Sequence, residues 1–169
     1  MDTKSLLSQF RHNAERIRAL VSGISNEDAR LRPTPEAWSV LEVVNHLLDE
    51  EIHDFRSHLD FILNPEGKAW ELIDPQGWIT ERNYNQRDLA QSLEQFLAER
   101  AKSIQWLESL GAVDWEISYA SKWGTMKAGD MFASWVAHDG LHMRQLVELQ
   151  RFLTERAAGD FDTSYAGDW

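Results

Sequence analysis

Residues 31–63 read LRPTPEAWSVLEVVNHLLDEEIHDFRSHLDFIL, and the way this stretch folds decides the rest of the chain. Its two early prolines bar a helix interior, because proline lacks the N–H and its ring clashes with the preceding turn. Ser39 then offers a capping hydroxyl with Glu42 three residues on, so the sequence predicts a helix from about Ser39 to Leu63. One stripe of that helix carries His46 and His53, seven residues apart, together with Glu42, Asp49 and Glu50.

Three more stretches carry helical periodicity, and almost none shows the alternation of a strand. In residues 4–22, Leu6, Phe10, Asn13, Ala14, Ile17, Leu20 and Val21 share one side. A third helix spans roughly Asp88 to Leu110, with Gly111 as its stop, and a fourth runs from about Lys127 to Glu155. Residues 64–87 hold two prolines and two glycines and read as a long connection with Trp70 and Trp78 pinned onto the body. Residues 112–126 form a second connection with a short helical turn around Trp115 to Tyr119, and the tail after 156 reads as irregular. Four amphipathic helices joined by long links predict an all-α chain, one domain over 1–169, folded as a four-helix bundle whose long crossover connections set successive helices parallel. Most of the eight tryptophans are expected to fill core contacts.

Composition narrows the functions. Seventeen Lys and Arg against 28 Asp and Glu leave a net charge of −11, which repels phosphate backbones and anionic membrane surfaces, so neither nucleic acid nor membrane is an expected partner. With no cysteine there is no disulfide, thiolate ligand or protein-borne thiol nucleophile. No signal peptide or membrane span is legible, and a cytoplasmic location follows as the expectation.

The fourth helix contains AHDGLHMRQL at 137–146, with His138 and His142 one turn apart and turned inward beside Met131, Trp135, Leu146 and Leu149. Buried imidazoles need partners for both nitrogens or carry a cost of roughly 1–3 kcal/mol each, and a shared cation meets that need. A satisfied pair of core histidines is the ordinary alternative. For a third ligand, His12 falls on the solvent side of the first helix and His58 at the edge of the second, where it reads as a surface residue. Spacing leaves His46 and His53 as near equals.

WSVLEVVNHLLDEE at 38–51 combined with GTMKAGDMFASWVAHDGLHMRQL at 124–146 resembles the DinB-like superfamily, which includes the YfiT-like metal-dependent hydrolases. LEQFLAERAKSIQWL at 93–107 and YAGDW at 165–169 are also similar to its members, so the likeness covers nearly the whole chain. It implies a bundle holding a divalent metal on three histidines, here His46, His138 and His142, with His53 left to the second sphere or pocket. Three neutral imidazoles with an open position suit Zn²⁺ or Ni²⁺, a Lewis acid that makes a water or small-thiol nucleophile available at neutral pH. Glu50 and Asp139 are the carboxylates placed to orient an imidazole N–H or accept a proton, against the plain reading of solvated helix acids. Gln145 could line the cavity or make a structural hydrogen bond. Arg100 could receive an anionic substrate or the carboxylate of a thiol cofactor, although an ion pair within the bundle is the more ordinary role.

The resemblance implies a metal-dependent transferase moving a low-molecular-weight thiol, or a hydrolase, acting on a small molecule. The alternative is a non-catalytic metal- or ligand-binding, stress-associated bundle. A zinc-protease reading of HDGLH fails, because Asp139 is a methylene shorter than the glutamate that chemistry uses and the bundle offers no strand beside which a peptide could lie. The Trp-rich apolar surface allows a homodimer.

Overall fold

In the computed structural model, which describes residues 1–121 and 124–167, Ser39 caps the second bundle helix as its spacing predicts. The Glu42 N–H donates to its hydroxyl at 3.2 Å, and the Ser39 N–H donates to Glu42 Oε2 at 2.8 Å. Both orphan donors of the first turn are thereby satisfied inside the protein, where water does not reach them. Ser39→Ala is expected to cost about 1–2 kcal/mol in urea unfolding, at the upper end for a cap because the site is buried.

The bundle helices are α1 (Thr3–Val21), a second helix made of α2 (Val40–Asp49), a π-helical turn (Glu50–Asp54) and α3 (Phe55–Leu63), then α5 (Leu89–Ser109) and α6 (Ala128–Ala158). A short helix, α4 (Pro75–Glu81), precedes α5. α1 packs mainly on α5 and α6, and so does the second helix. Consecutive helices α1 and α2 therefore sit on opposite corners, with segment 22–39 as the crossover. That is the non-up-down arrangement the long connections imply.

The second helix is not a regular α-helix. The Phe55 N–H donates to the Glu50 carbonyl five residues back, so one extra residue is accommodated in the turn. At about 100° per residue, everything beyond it is rotated by one position relative to an unbroken helix. Asp54 thereby takes the inward place that regular periodicity gives to His53, and His58 swings from the edge into the interior.

The connections are also more ordered than composition suggests. In 64–87, Asp74 caps α4, its carboxylate accepting from the Gly77 N–H at 3.0 Å, with Pro75 at the first helical position where its missing N–H costs nothing. Trp78 is buried and Trp70 half-buried. Around Trp115 the chain makes a single hydrogen-bonded turn, the Ile117 N–H donating to the Asp114 carbonyl at 3.3 Å, and in place of any helix up to Tyr119, Ser118–Ser121 (β1) pairs antiparallel with Gly124–Lys127 (β2). Gly111 has φ +65°, the conformation that ends α5. A 3-10 turn, Ser164–Ala166, interrupts the otherwise irregular tail, and Asp168 and Trp169 of YAGDW lie outside the described residues.

Two apolar clusters fill the bundle. One gathers Ile17, Val43, Val44, Leu47, Phe96 and Leu146, and the other Phe10, Leu59, Ile62, Phe132 and Trp135. Between them runs a belt of buried polar side chains: Asn13, His46, Glu50, Glu51, Arg100, Asp139 and His142. Among the described residues no helix is long and apolar enough to cross a membrane.

Candidate metal centre

The belt brings together one residue of α2 and two of α6. His46 Nε2 lies 3.4 Å from His138 Nε2, which lies 3.1 Å from His142 Nε2, and the nitrogens the three rings offer all fall within 4.8 Å. Bonds of 2.0–2.1 Å to one tetrahedral ion would set neighbouring nitrogens about 3.3 Å apart. His142 is fixed in orientation by a hydrogen bond from its Nδ1–H to Gln145 Oε1 at 2.9 Å, which leaves its Nε2 with a lone pair. The Nδ1 edge of His46 faces Glu50 Oε1 at 3.7 Å, beyond hydrogen-bond reach, and both atoms are buried without a partner. A single proton can serve one pair of facing nitrogens but not all three, so the donor set fits a shared cation: His46, His138 and His142 could hold a metal ion.

Electrostatics keep these rings neutral, as ligation requires. Burial, then repulsion from His142 and His138, pushes His46 down to about 2. Burial and the neighbouring His142 push His138 down to about 3, with Asp54 opposing. His142 is lowered by burial, partly offset by its Gln145 bond and by Asp139. Aromatic walls close the sides. Trp38 stands edge-on to His46 at 4.9 Å and parallel to His142 at 6.1 Å, and Phe55 lies 5.0 Å from His138. Of the trio, His142 lines a groove of about 900 Å³, together with Gln145 and Trp38.

The other sequence-derived candidates fall in different places. His53 is turned away from the trio by the π turn and rests edge-on to Trp78, 5.6 Å away. Glu50 does sit beside His46, but burial, a hydrogen bond to Asp54 and the nearby charges of Asp54, Asp49 and Glu51 push its carboxyl up to about 9. It shares a proton with Asp54, while its Oε1 faces the Nδ1 edge of His46. Asp139 is withdrawn from the trio into a two-pronged ion pair with Arg100, at 2.7 and 2.8 Å, and also accepts from Asn13. Arg100 is closed to any substrate, being 1 % exposed and also bonded to Glu51 at 2.8 Å. Burial disfavours its charge, but the two carboxylates more than compensate and raise its pKa.

Sequence reasoning missed the Asp54–His58 pair. His58 Nδ1 lies 2.6 Å from Asp54 Oδ1 and its Nε2 lies 2.8 Å from the Glu71 carbonyl, so both nitrogens face acceptors and the ring is held doubly protonated. Trp70 stacks on it at 4.0 Å. Burial alone would lower the His58 pKa, but the bonds to Asp54 and Glu71 raise it above 6.5. A raised folded-state value stabilises fully below the unfolded value and is lost as pH climbs through the folded one. Unfolding free energy is therefore expected to fall from about pH 6.5 upward, in a component that disappears in His58→Gln, as read by urea titrations across that range.

Comparison with known proteins agrees with this architecture. The structure is similar to that of YfiT from Bacillus subtilis, described as a probable metal-dependent hydrolase with an unusual four-helix bundle topology. The likeness has a TM-score of 0.77 at 16% sequence identity and covers 89% of this chain and 87% of that one. At that identity it speaks for the fold alone. No curated protein matches the sequence. The DinB superfamily model matches residues 9–146, a span that takes in α2, the π turn and all three histidines of the trio. The chain belongs to the DinB superfamily.

Proposed function

We propose that this protein is a metal-dependent enzyme acting on a small molecule, with His46, His138 and His142 holding a divalent ion, Zn²⁺ or Ni²⁺ by the chemistry of three imidazoles. The observation that carries the reading is the convergence of three neutral Nε2 atoms, one of them on a ring, His142, that lines an open groove. An ion so held supplies Lewis acidity to a nucleophile or an electrophile at its open position. His142 is oriented through its far nitrogen by Gln145, and Glu50 faces the far nitrogen of His46. Replacing Gln145 by leucine is expected to weaken metal binding about 10–100-fold, read by competition with a chromophoric chelator.

The tethering of both nearby carboxylates favours S-transfer from a small thiol. Glu50 is engaged by Asp54 and Asp139 by Arg100, so neither of these carboxylates stands free as a base beside the trio. A thiol, with an ordinary pKa of about 8.5 against 15.7 for water, depends least on such a base. The chain has no cysteine, so the thiol comes from solution. Hydrolysis is the second reading, favoured by what is said of YfiT.

The test measures consumption of small thiols against a haloaromatic electrophile, with and without Zn²⁺ or Ni²⁺. Metal-dependent consumption is the expected result. Absence of any such rate with every thiol tried rejects S-transfer, and product formation from water alone transfers support to hydrolysis.

A further inference from the structure

The groove beside the trio has a chemical character of its own. On α6, Gln145, Leu149 and Phe152 lie three, seven and ten residues beyond His142, so they form one flank of the helix running about 15 Å away from the trio. Leu149 and Phe152 make that flank apolar, and Leu141 adds to it, half its surface open. The facing wall is Pro33, Ala37 and Trp38, of which Trp38 also covers His46 and His142. Trp38 thus belongs to both parts: the apolar slot begins where the trio ends.

The rim offers little to an anion. Arg144 is set against Glu148 at 3.6 Å and Arg151 against Glu155 at 2.8 Å, each pair one turn apart on α6. Glu36 faces them from the opposite wall, leaving glutamates in excess on a chain already at −11. A phosphate or carboxylate lying in the slot would meet compensated arginines and a surplus of like charge. An uncharged hydrocarbon segment would displace water from Trp38, Leu141, Leu149 and Phe152 without that cost.

We infer that the substrate is an amphiphile: a small polar, metal-seeking end placed at the trio, and an uncharged alkyl or aryl tail lying along α6 between Phe152 and the Pro33–Trp38 wall. This rests on the reading of the trio as a metal centre, and it adds the substrate class. Discrimination between substrates then resides in tail length and shape, through Phe152, Ala37 and Trp38, while His46, His138 and His142 treat all heads alike. Phe152 and Ala37 are specificity-determining residues on this view.

Alkyl hydroxamates, which pair one metal-seeking head with tails of any length, test it by calorimetry on zinc-loaded protein. From acetohydroxamate through hexanohydroxamate to decanohydroxamate, affinity is expected to rise about two- to fourfold per methylene, as burial of a CH₂ predicts. Phe152→Ser, at a half-buried groove position, and Ala37→Trp, which fills the slot without opening the core, should each flatten that dependence. Equal affinity for the short and long compounds, or an undiminished slope in both variants, overturns the inference. If the protein takes up no zinc, or acetohydroxamate binds no better with zinc than without, the metal reading fails separately. The slot is then judged on metal-free protein by the fluorescence change with 1-decanol, using Trp38→Phe as the blank. A change lost in Trp38→Phe and Phe152→Ser upholds the tail site, and no change rejects it.

Discussion

Replacing His138 by alanine is expected to abolish stoichiometric divalent-metal binding, and His46→Ala and His142→Ala should do the same, whereas His53→Ala keeps its metal. His138 is the central member, its Nε2 lying 3.1 and 3.4 Å from those of the other two, so its loss removes both of these close nitrogen pairs. Removing a direct ligand costs more than the roughly 10–100-fold that loss of an orienting partner costs. Elemental analysis of protein purified without a His tag is the measurement. His53 is the control that the structure supplies: it shares the helix and the chemistry of His46 but is turned onto Trp78 by the π turn. Full metal content in His138→Ala would refute the trio as a metal centre.

The second large effect is on stability. Arg100→Met is expected to destabilise the fold by about 3–5 kcal/mol in urea unfolding, because it strands Glu51 and Asp139 inside the bundle. Arg100 bonds Glu51 at 2.8 Å, Asp139 twice and the Phe10 carbonyl at 3.3 Å, and lies over the Phe10 ring at 3.7 Å. Glu51 also accepts from the Trp135 indole at 2.9 Å, so four helical segments meet at this one cation. Adding Glu51→Gln and Asp139→Asn should recover much of the loss, since the penalty is the stranded charge more than the missing bonds. A single mutant as stable as the native protein would mean that water or rearrangement relieves the carboxylates.

Much of this was legible in the sequence, and what was not shares physical causes. The four bundle helices, the Ser39–Glu42 box and the Gly111 stop follow from local rules that the tertiary structure does not override. His138 and His142 could be paired by spacing within one helix. His46 could be singled out from His53 only by resemblance, because regular periodicity puts both on one stripe. The π turn that separates them depends on how the second helix packs across the bundle and has no sequence signature in a 3.6-residue period. The same turn explains why His58, an edge residue on a regular helix, is buried against Asp54 and Trp70. The sequence makes an ion pair within the bundle the ordinary role for Arg100, and the structure has one, but that Asp139 is its partner across 39 positions of chain is a long-range fact that spacing does not encode. The pairing of Ser118–Ser121 with Gly124–Lys127 escaped because, among the described side chains of the two strands, Tyr119 alone is half-buried and the others are exposed, which leaves no run of buried alternation.

The wide turn at Glu50–Asp54 makes residue count forgiving in the middle of this helix. A chain one residue shorter in this interval would close into an unbroken helix and leave the side chains on either flank, His46 before it and His58 after it, facing as they do now. Within such a lineage, a single-codon deletion here would erase a bulge and spare the site, whereas the same deletion elsewhere in the helix would turn every side chain beyond it by about 100°.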